Sequence, residues 1–339
     1  MPFVWRSSFD VVTLGAATQD LFLRSSALEE MPSADAPDGW RACIPFGTKL
    51  NVEEMHTTSG GGATNTAVTF ARYGLKTACI TRIGKDQIGA NILDELKREH
   101  IQTQCIQYDP THKTASSVIL LSGSGHRAIL TYRGASSHLS TKHIPWPSLR
   151  TTWLYLTSVG GDLALLKHVF GFARTHNVHV AWNPGTAELE QGLRKLSPLL
   201  KQTETLILNR EEAALITELP SRHLSQLFQK LGRYPLNTTI ITDGQRGAFA
   251  QQRQEKDVWF APTLPAQRIN TTGAGDAFGS GYVAAIIRGK SPKTALQIAT
   301  LNATGVVSHM GPKTGILRRF PSDAECHAVA ISRVTTRTL

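Results

Sequence analysis

The sequence predicts an α/β fold, a doubly wound and mostly parallel sheet flanked by helices, with a small β-sheet projecting from it. Three observations carry this. Strand-like apolar runs alternate with helical patterns along most of the 339 residues, which is how a parallel sheet with covering helices is written. Late in the chain, NTTGAGDAF at residues 270–278 runs straight into the small-residue helical pattern GSGYVAAII. Two further segments are extended in character and fit no helix-covered strand.

The first strand is expected at residues 9–14, followed by a helix near 64–73 that Gly74 closes, and by a strand at 77–83. In the helix expected at 88–99, Ile88, Ile92, Leu93 and Leu96 share one face while Lys97, Arg98 and Glu99 look to water. Later strands are expected at 153–157, 178–182, 206–208 and 238–242, with a helix at 163–174. The runs 117–121 and 127–133, joined by two glycines within 122–126, read as a hairpin. With the extended stretch 42–58, which holds Pro45 and Gly47, they are expected to form the projecting sheet. The tail beyond Phe320 reads as a last helix with a frayed end.

Hydrophobic residues make up 41% of the chain, enough for a large core. No run of about eighteen apolar residues occurs and the N-terminal stretch lacks a signal-peptide pattern, so the chain is expected to be cytoplasmic, with no membrane partner. Cys43, Cys79, Cys105 and Cys326 form no C-x-x-C pair, which argues against a zinc site or a disulfide framework. A net charge of +10 with pI near 9.6 raises the question of nucleic acid, yet Lys and Arg are scattered and no nucleic-acid motif accompanies them. The expected consequence is attraction of anionic nucleotide.

The glycines of 270–278 let backbone amides converge at a helix start, where unpaired donors and the positive end of the dipole favour an anion. Asp276 is the oddity there. A carboxylate repels a bound phosphate, so it needs another job, and taking the proton from an attacking hydroxyl is one. Gly273, Ala274 and Gly275 are then the amide donors to the transferred group. The bland alternative is a well-capped helix with an acid in its first turn. A dinucleotide fingerprint fits poorly, since no strand ending in an acid follows about twenty residues on, and a Walker loop is excluded because no G-K-[ST] follows the glycines.

The stretch resembles the signature D-T-x-G-A-G-D-x-F of the ribokinase-like, or phosphofructokinase B type, carbohydrate and nucleoside kinases, with Asn270 in place of its first Asp. Four other landmarks occur in order between about residues 9 and 315: SGGGATNTAVTFARYG, TRIGKDQIG, LILNREEA and ITDGQRGAF. The resemblance implies a ribokinase-like fold over residues 1–339 as one kinase domain. Lid segments at about 42–58 and 115–134 are inserted in it, and the lid is often a dimer surface in this family. It implies ATP and Mg²⁺ as cofactors, Asp20, Gly60, Gly61 and Asn65 against the substrate, and Glu212 on magnesium through water. Asn209, Thr242, Gly244 and Gly247 would lie against nucleotide.

Each of these has a local alternative. Asn209 and Glu212 make a capping box, Asp243 and Gly244 a hairpin turn, and Gly60 to Gly62 a flexible loop. Asn302, on the final apolar helix, is within reach of adenine on this reading. Arg133 and Lys49 fall on the lid as candidate phosphate contacts. In many relatives the Asp at position 270 helps to hold a monovalent cation; a neutral amide offers a weaker field, so potassium activation is expected to be weak or absent.

The expected function is ATP-dependent phosphorylation of a sugar hydroxyl. A nucleoside kinase or a sugar-phosphate kinase is the alternative within the enzyme class. A non-catalytic regulator that binds nucleotide or sugar is the alternative outside it, although a pure binder would gain affinity by losing Asp276.

Overall fold

The computed structural model describes residues 8–36, 39–124, 126–253 and 255–335. Its main sheet has nine strands, in the order Ser332–Val334, Val258–Ala261, Ala248–Gln252, Thr238–Thr242, Thr205–Asn209, His179–Trp182, Thr151–Leu156, Phe9–Leu14 and Thr77–Ile80. From Thr238–Thr242 to Thr77–Ile80 every pairing is parallel, and the remaining three strands add antiparallel. The chain winds outward in both directions from Phe9–Leu14, and open α/β sheets hold their ligands beyond the carboxyl ends of the strands at such a reversal.

Alternation along the strands divides the core. Val11, Trp153, Tyr155, Ile207 and Ile240 pack under the helices Gly62–Arg72, Ala274–Ile287 and Pro292–Val307. Val12, Leu154, Leu156, Trp182, Leu206 and Ile241 face Leu163–His176, Gly192–Leu200 and Leu224–Leu231 on the other side. The doubly wound sheet expected from the sequence is therefore present. Helices start where the sequence supplies caps: Asp86 accepts from the Gly89 amide at 2.8 Å, and Asp162 from the Ala164 and Leu165 amides at 2.9 Å.

The projecting sheet has four strands, in the order Arg127–Tyr132, Ala115–Leu121, Thr18–Arg24 and Glu54–Gly60. Its hairpin is the one expected. Its inner strand Thr18–Arg24 is not: TQDLFLR sets three polar residues before three apolar ones, so its sequence shows no two-residue period, although Asp20 and Phe22 are buried in alternation in the structure. Of the stretch 42–58, only Glu54–Gly60 lies in this sheet; Trp40–Cys43 pairs instead with Glu29–Pro32. The run 77–83 leaves the main sheet after Ile80, and Arg82–Gly84 pairs with Gln107–Asp109.

Beyond Phe320 a five-residue helix, Asp323–His327, leads into the edge strand Ser332–Val334 rather than into a frayed helix. That strand satisfies the open edge of Val258–Ala261, and Arg333 lies over the Trp259 ring at 4.5 Å. Residues 336–339 lie outside the described residues.

Candidate active site

Gly273 starts the helix Ala274–Ile287 with φ of 82°, and a Cβ there would stand 2.4 Å from Pro312 Cβ, so only glycine closes this turn. The Ala274 amide is spent on the Thr271 carbonyl at 3.2 Å, while Gly275 has open space beside it. Of the three amides expected to face an anion, Ala274 is therefore already engaged, and Gly273 and Gly275 have no such bond among the described residues.

In the first turn of that helix, Asp276 Oδ2 accepts a hydrogen bond from Asn65 Nδ2 at 2.8 Å. The two residues are 211 positions apart and meet because the helices that carry them pack side by side on the sheet. Burial pushes the Asp276 carboxyl above the usual carboxylate range, against the Asn65 hydrogen bond and the Lys313 ammonium, which pull it down. Asn65 is 4% exposed, and its Oδ1 has no partner among the described residues. A buried amide oxygen without a partner is an acceptor whose hydrogen bond is unmade.

Asp20 stands on the lid strand Thr18–Arg24, buried, with Thr18 Oγ1 donating to it at 3.2 Å. Its carboxyl is also raised, first of all by burial. A Cβ at Gly60 would sit 2.2 Å from Asp20 Oδ2, so this glycine lets the neighbouring strand pass the carboxylate. Gly61, with φ of 96°, then turns the chain into the helix that bears Asn65.

On the other side, Asn209 and Thr242 pair at the carboxyl ends of adjacent strands. Asn209 Oδ1 accepts from the Glu212 amide at 2.7 Å, and Glu212 Oε2 accepts from the Asn209 amide at 2.8 Å. The capping box weighed as the local alternative is thus fully formed, and one Glu212 oxygen is left for any other role. Burial, with the Asp276 charge adding to it, pushes the Glu212 carboxyl up to about 6. Gly244 opens a short turn, Asp243 is held by Arg210, and a Cβ at Gly247 would stand 2.1 Å from the Ala261 carbonyl oxygen.

Asn302 requires a correction. Its side chain is fully buried, donating to Thr69 Oγ1 at 3.2 Å and to the Ala277 carbonyl at 2.8 Å and accepting from the Leu317 amide at 3.1 Å. With donors and acceptor committed inside the core, it ties three segments together and has nothing to offer adenine. Asn270 is likewise turned inward, its Oδ1 accepting from the Thr272 amide at 2.6 Å.

Two residues emerge that the sequence did not single out. Lys313 is 5% exposed, donates to Ser59 Oγ at 2.6 Å, and pairs with Glu95 at 3.6 Å. Arg127, on the lid, donates to Thr271 Oγ1 at 2.8 Å. Neither belongs to a repeat or a spacing pattern, so no sequence signal marked them. A separate cleft of about 690 Å³, lined by Phe228, Tyr234, Arg253 and Glu255 among others, lies at the antiparallel edge of the sheet and contains none of these residues.

A family model described as pfkB family carbohydrate kinase matches residues 26–318. The chain belongs to that family. It is a carbohydrate kinase, a phosphotransferase with an alcohol group as acceptor. It is 28% identical over 285 residues to a ribokinase of Haemophilus influenzae, covering 81% of this chain and 91% of that one. A deoxyribokinase of Salmonella typhi is 24% identical over 274 residues, covering 79% and 87%. Among solved structures, Arabidopsis thaliana ribokinase complexed with ribose and ATP superposes with a TM-score of 0.76 at 20% identity, over 95% of this chain and 98% of that one. A Burkholderia thailandensis nucleoside kinase in complex with inosine gives 0.73 at 19% identity, over 94% and 96%. At these identities the superpositions speak for the fold. Among the described residues, no helix is long and apolar enough to cross a membrane.

Proposed function

We propose that this kinase transfers the γ-phosphoryl group of ATP to a hydroxyl of a sugar, with Asp276 as general base. The observation that carries the reading is the 2.8 Å contact between Asn65 and Asp276. It fixes the carboxylate beside an amide acceptor, so that one sugar hydroxyl can donate to Asn65 Oδ1 while the reacting hydroxyl donates its proton to Asp276. Asp20 accepts from further hydroxyls, and Gly60 and Gly61 allow the close approach. Gly273 and Gly275 supply amides to the charge that develops on the transferred group, which is where such donors lower a barrier.

Thr242, Gly244 and Gly247 form the nucleotide turn, with Asn209 beside it. Magnesium would be held chiefly by phosphates and water, as is usual for this ion, with Glu212 in the outer shell through its free oxygen. When bound it neutralises phosphate charge. The amide of Asn270, already engaged by Thr272, supports weak or absent potassium activation.

The chain works as a single kinase domain in the cytoplasm. The outer face of its lid carries Met55, Leu130 and Tyr132, which are 67%, 57% and 48% exposed and suit a homodimer through the lid. Sedimentation velocity that finds only monomer would remove the dimer. The function itself is tested by ATP consumption across pentoses, hexoses, their phosphates and nucleosides. Consumption that requires one sugar is expected. Consumption that requires a nucleoside selects the nucleoside kinase, and binding without consumption selects the regulator.

A further inference from the structure

We propose that Arg127 is a phosphate-binding residue carried by the lid, which engages the phosphoryl group in transit; this rests on the kinase reading above. Strand register places it. Asp20 pairs with Ser117, Arg24 with Leu121, and Leu121 with Arg127, so the two-residue period sets Arg127 on the same lid face as Asp20, the face turned to the substrate. From there its Nη1 reaches Thr271 Oγ1 at 2.8 Å. Thr271 stands two residues before Gly273, so the far end of the lid touches the start of the anion loop.

The charge around that loop calls for a cation. Asp20, Asp276 and Glu212 all converge on the site, and each carboxyl is raised by burial. Lys313 is already paired with Glu95 and bonded to Ser59. At the same end of the lid, Arg24 is paired with Glu54 at 3.4 Å. Arg127 makes no ion pair among the described residues, and its single hydrogen bond, to Thr271, leaves four of its five N–H donors unused. A planar guanidinium matches the oxygens of a phosphoryl group in pairs, which a loop of single amides does not. Because the residue sits on the lid, phosphate engagement and closure over the sugar become one event.

A phosphate on the sugar would offer the same chemistry, so the test separates the sources. Calorimetry on the full chain and on Arg127→Gln and Arg127→Lys would compare magnesium AMP-PNP, magnesium ADP and ribose 5-phosphate. The expected result is that Arg127→Gln weakens AMP-PNP by about tenfold or more, the loss typical of one charge-assisted hydrogen bond, and leaves ADP unchanged, while Arg127→Lys recovers part of the loss. The side chain lies on the surface, so the thermal midpoint should not move. Equal weakening of AMP-PNP and ADP, no weakening, or a loss confined to ribose 5-phosphate overturns the assignment of Arg127. An unaltered chain that binds neither nucleotide overturns the kinase reading itself.

Discussion

Replacing Lys313 by Met removes a cation from the seam between the lid base and the anion loop. Its neighbour Pro312 closes on Gly273, and its ammonium holds Ser59, the residue next to Gly60. Met fills the space of the methylenes, so the loss is chiefly polar: one hydrogen bond of 2.6 Å and an ion pair of 3.6 Å. Orphaning a fully buried charge costs about 3–5 kcal/mol. Glu95 keeps 28% of its side-chain surface and can draw water, so the expected cost is about 2–3 kcal/mol.

Urea unfolding at constant slope measures it, and Glu95→Gln completes a double-mutant cycle whose coupling should exceed about 1 kcal/mol. A second readout is the acid limb of the pH–rate profile. The Lys313 charge holds the Asp276 carboxyl down against burial, so its loss should carry that limb to higher pH. A variant as stable as the original, losses that simply add with Glu95→Gln, or a limb that moves to lower pH would refute the reasoning.

Three further outcomes follow from the site. Glu212 has its carboxyl raised to about 6 from an ordinary 4.5, so the fold favours its protonated form, and its contribution to stability is present below 4.5 and lost as pH rises through about 6. Glu212→Gln keeps an acceptor for the Asn209 amide, should raise the melting temperature at pH 8 but not at pH 4, and should increase the magnesium needed for half-maximal rate; equal melting shifts at both pH values would contradict this. Asn302→Leu strands the Leu317 amide and takes one donor from the Ala277 carbonyl, and should cost about 1–3 kcal/mol with KM for ATP unchanged, whereas a raised KM at full stability would return the residue to the nucleotide. Exchanging tetramethylammonium chloride for potassium chloride should leave the rate nearly unchanged, and a many-fold rise would show that Asn270 is no obstacle to a cation site.

What the sequence made legible was whatever short stretches decide by themselves. The glycine-rich turn before Asp276 and the hairpin at 117–133 are local chemistry, and both were readable. So was the alternation of strands and helices, because each element must present an apolar face of the correct period. Pairings across the chain were not. Asn65 and Asp276 were separately named, yet nothing in their spacing says that they touch. Thr18–Arg24 was not legible as a strand, because three polar residues stand before three apolar ones and hide the two-residue period that its burial shows. Asn302 misled for a related reason. A polar residue on an apolar helix signals either a ligand or an unmet backbone partner, and Thr69, Ala277 and Leu317 become its neighbours only once three segments are folded together.

The most direct measurement concerns Asp276→Asn, assayed by sugar-dependent ADP formation and, on the same preparation, by calorimetric ATP affinity. Turnover should fall by about 10²–10⁴-fold, the usual worth of a general base, while ATP binds as tightly as before or more tightly, since a negative charge has left the phosphate loop. Turnover that survives within a few-fold, or ATP binding lost in step with turnover, would contradict the assignment of Asp276 as the base.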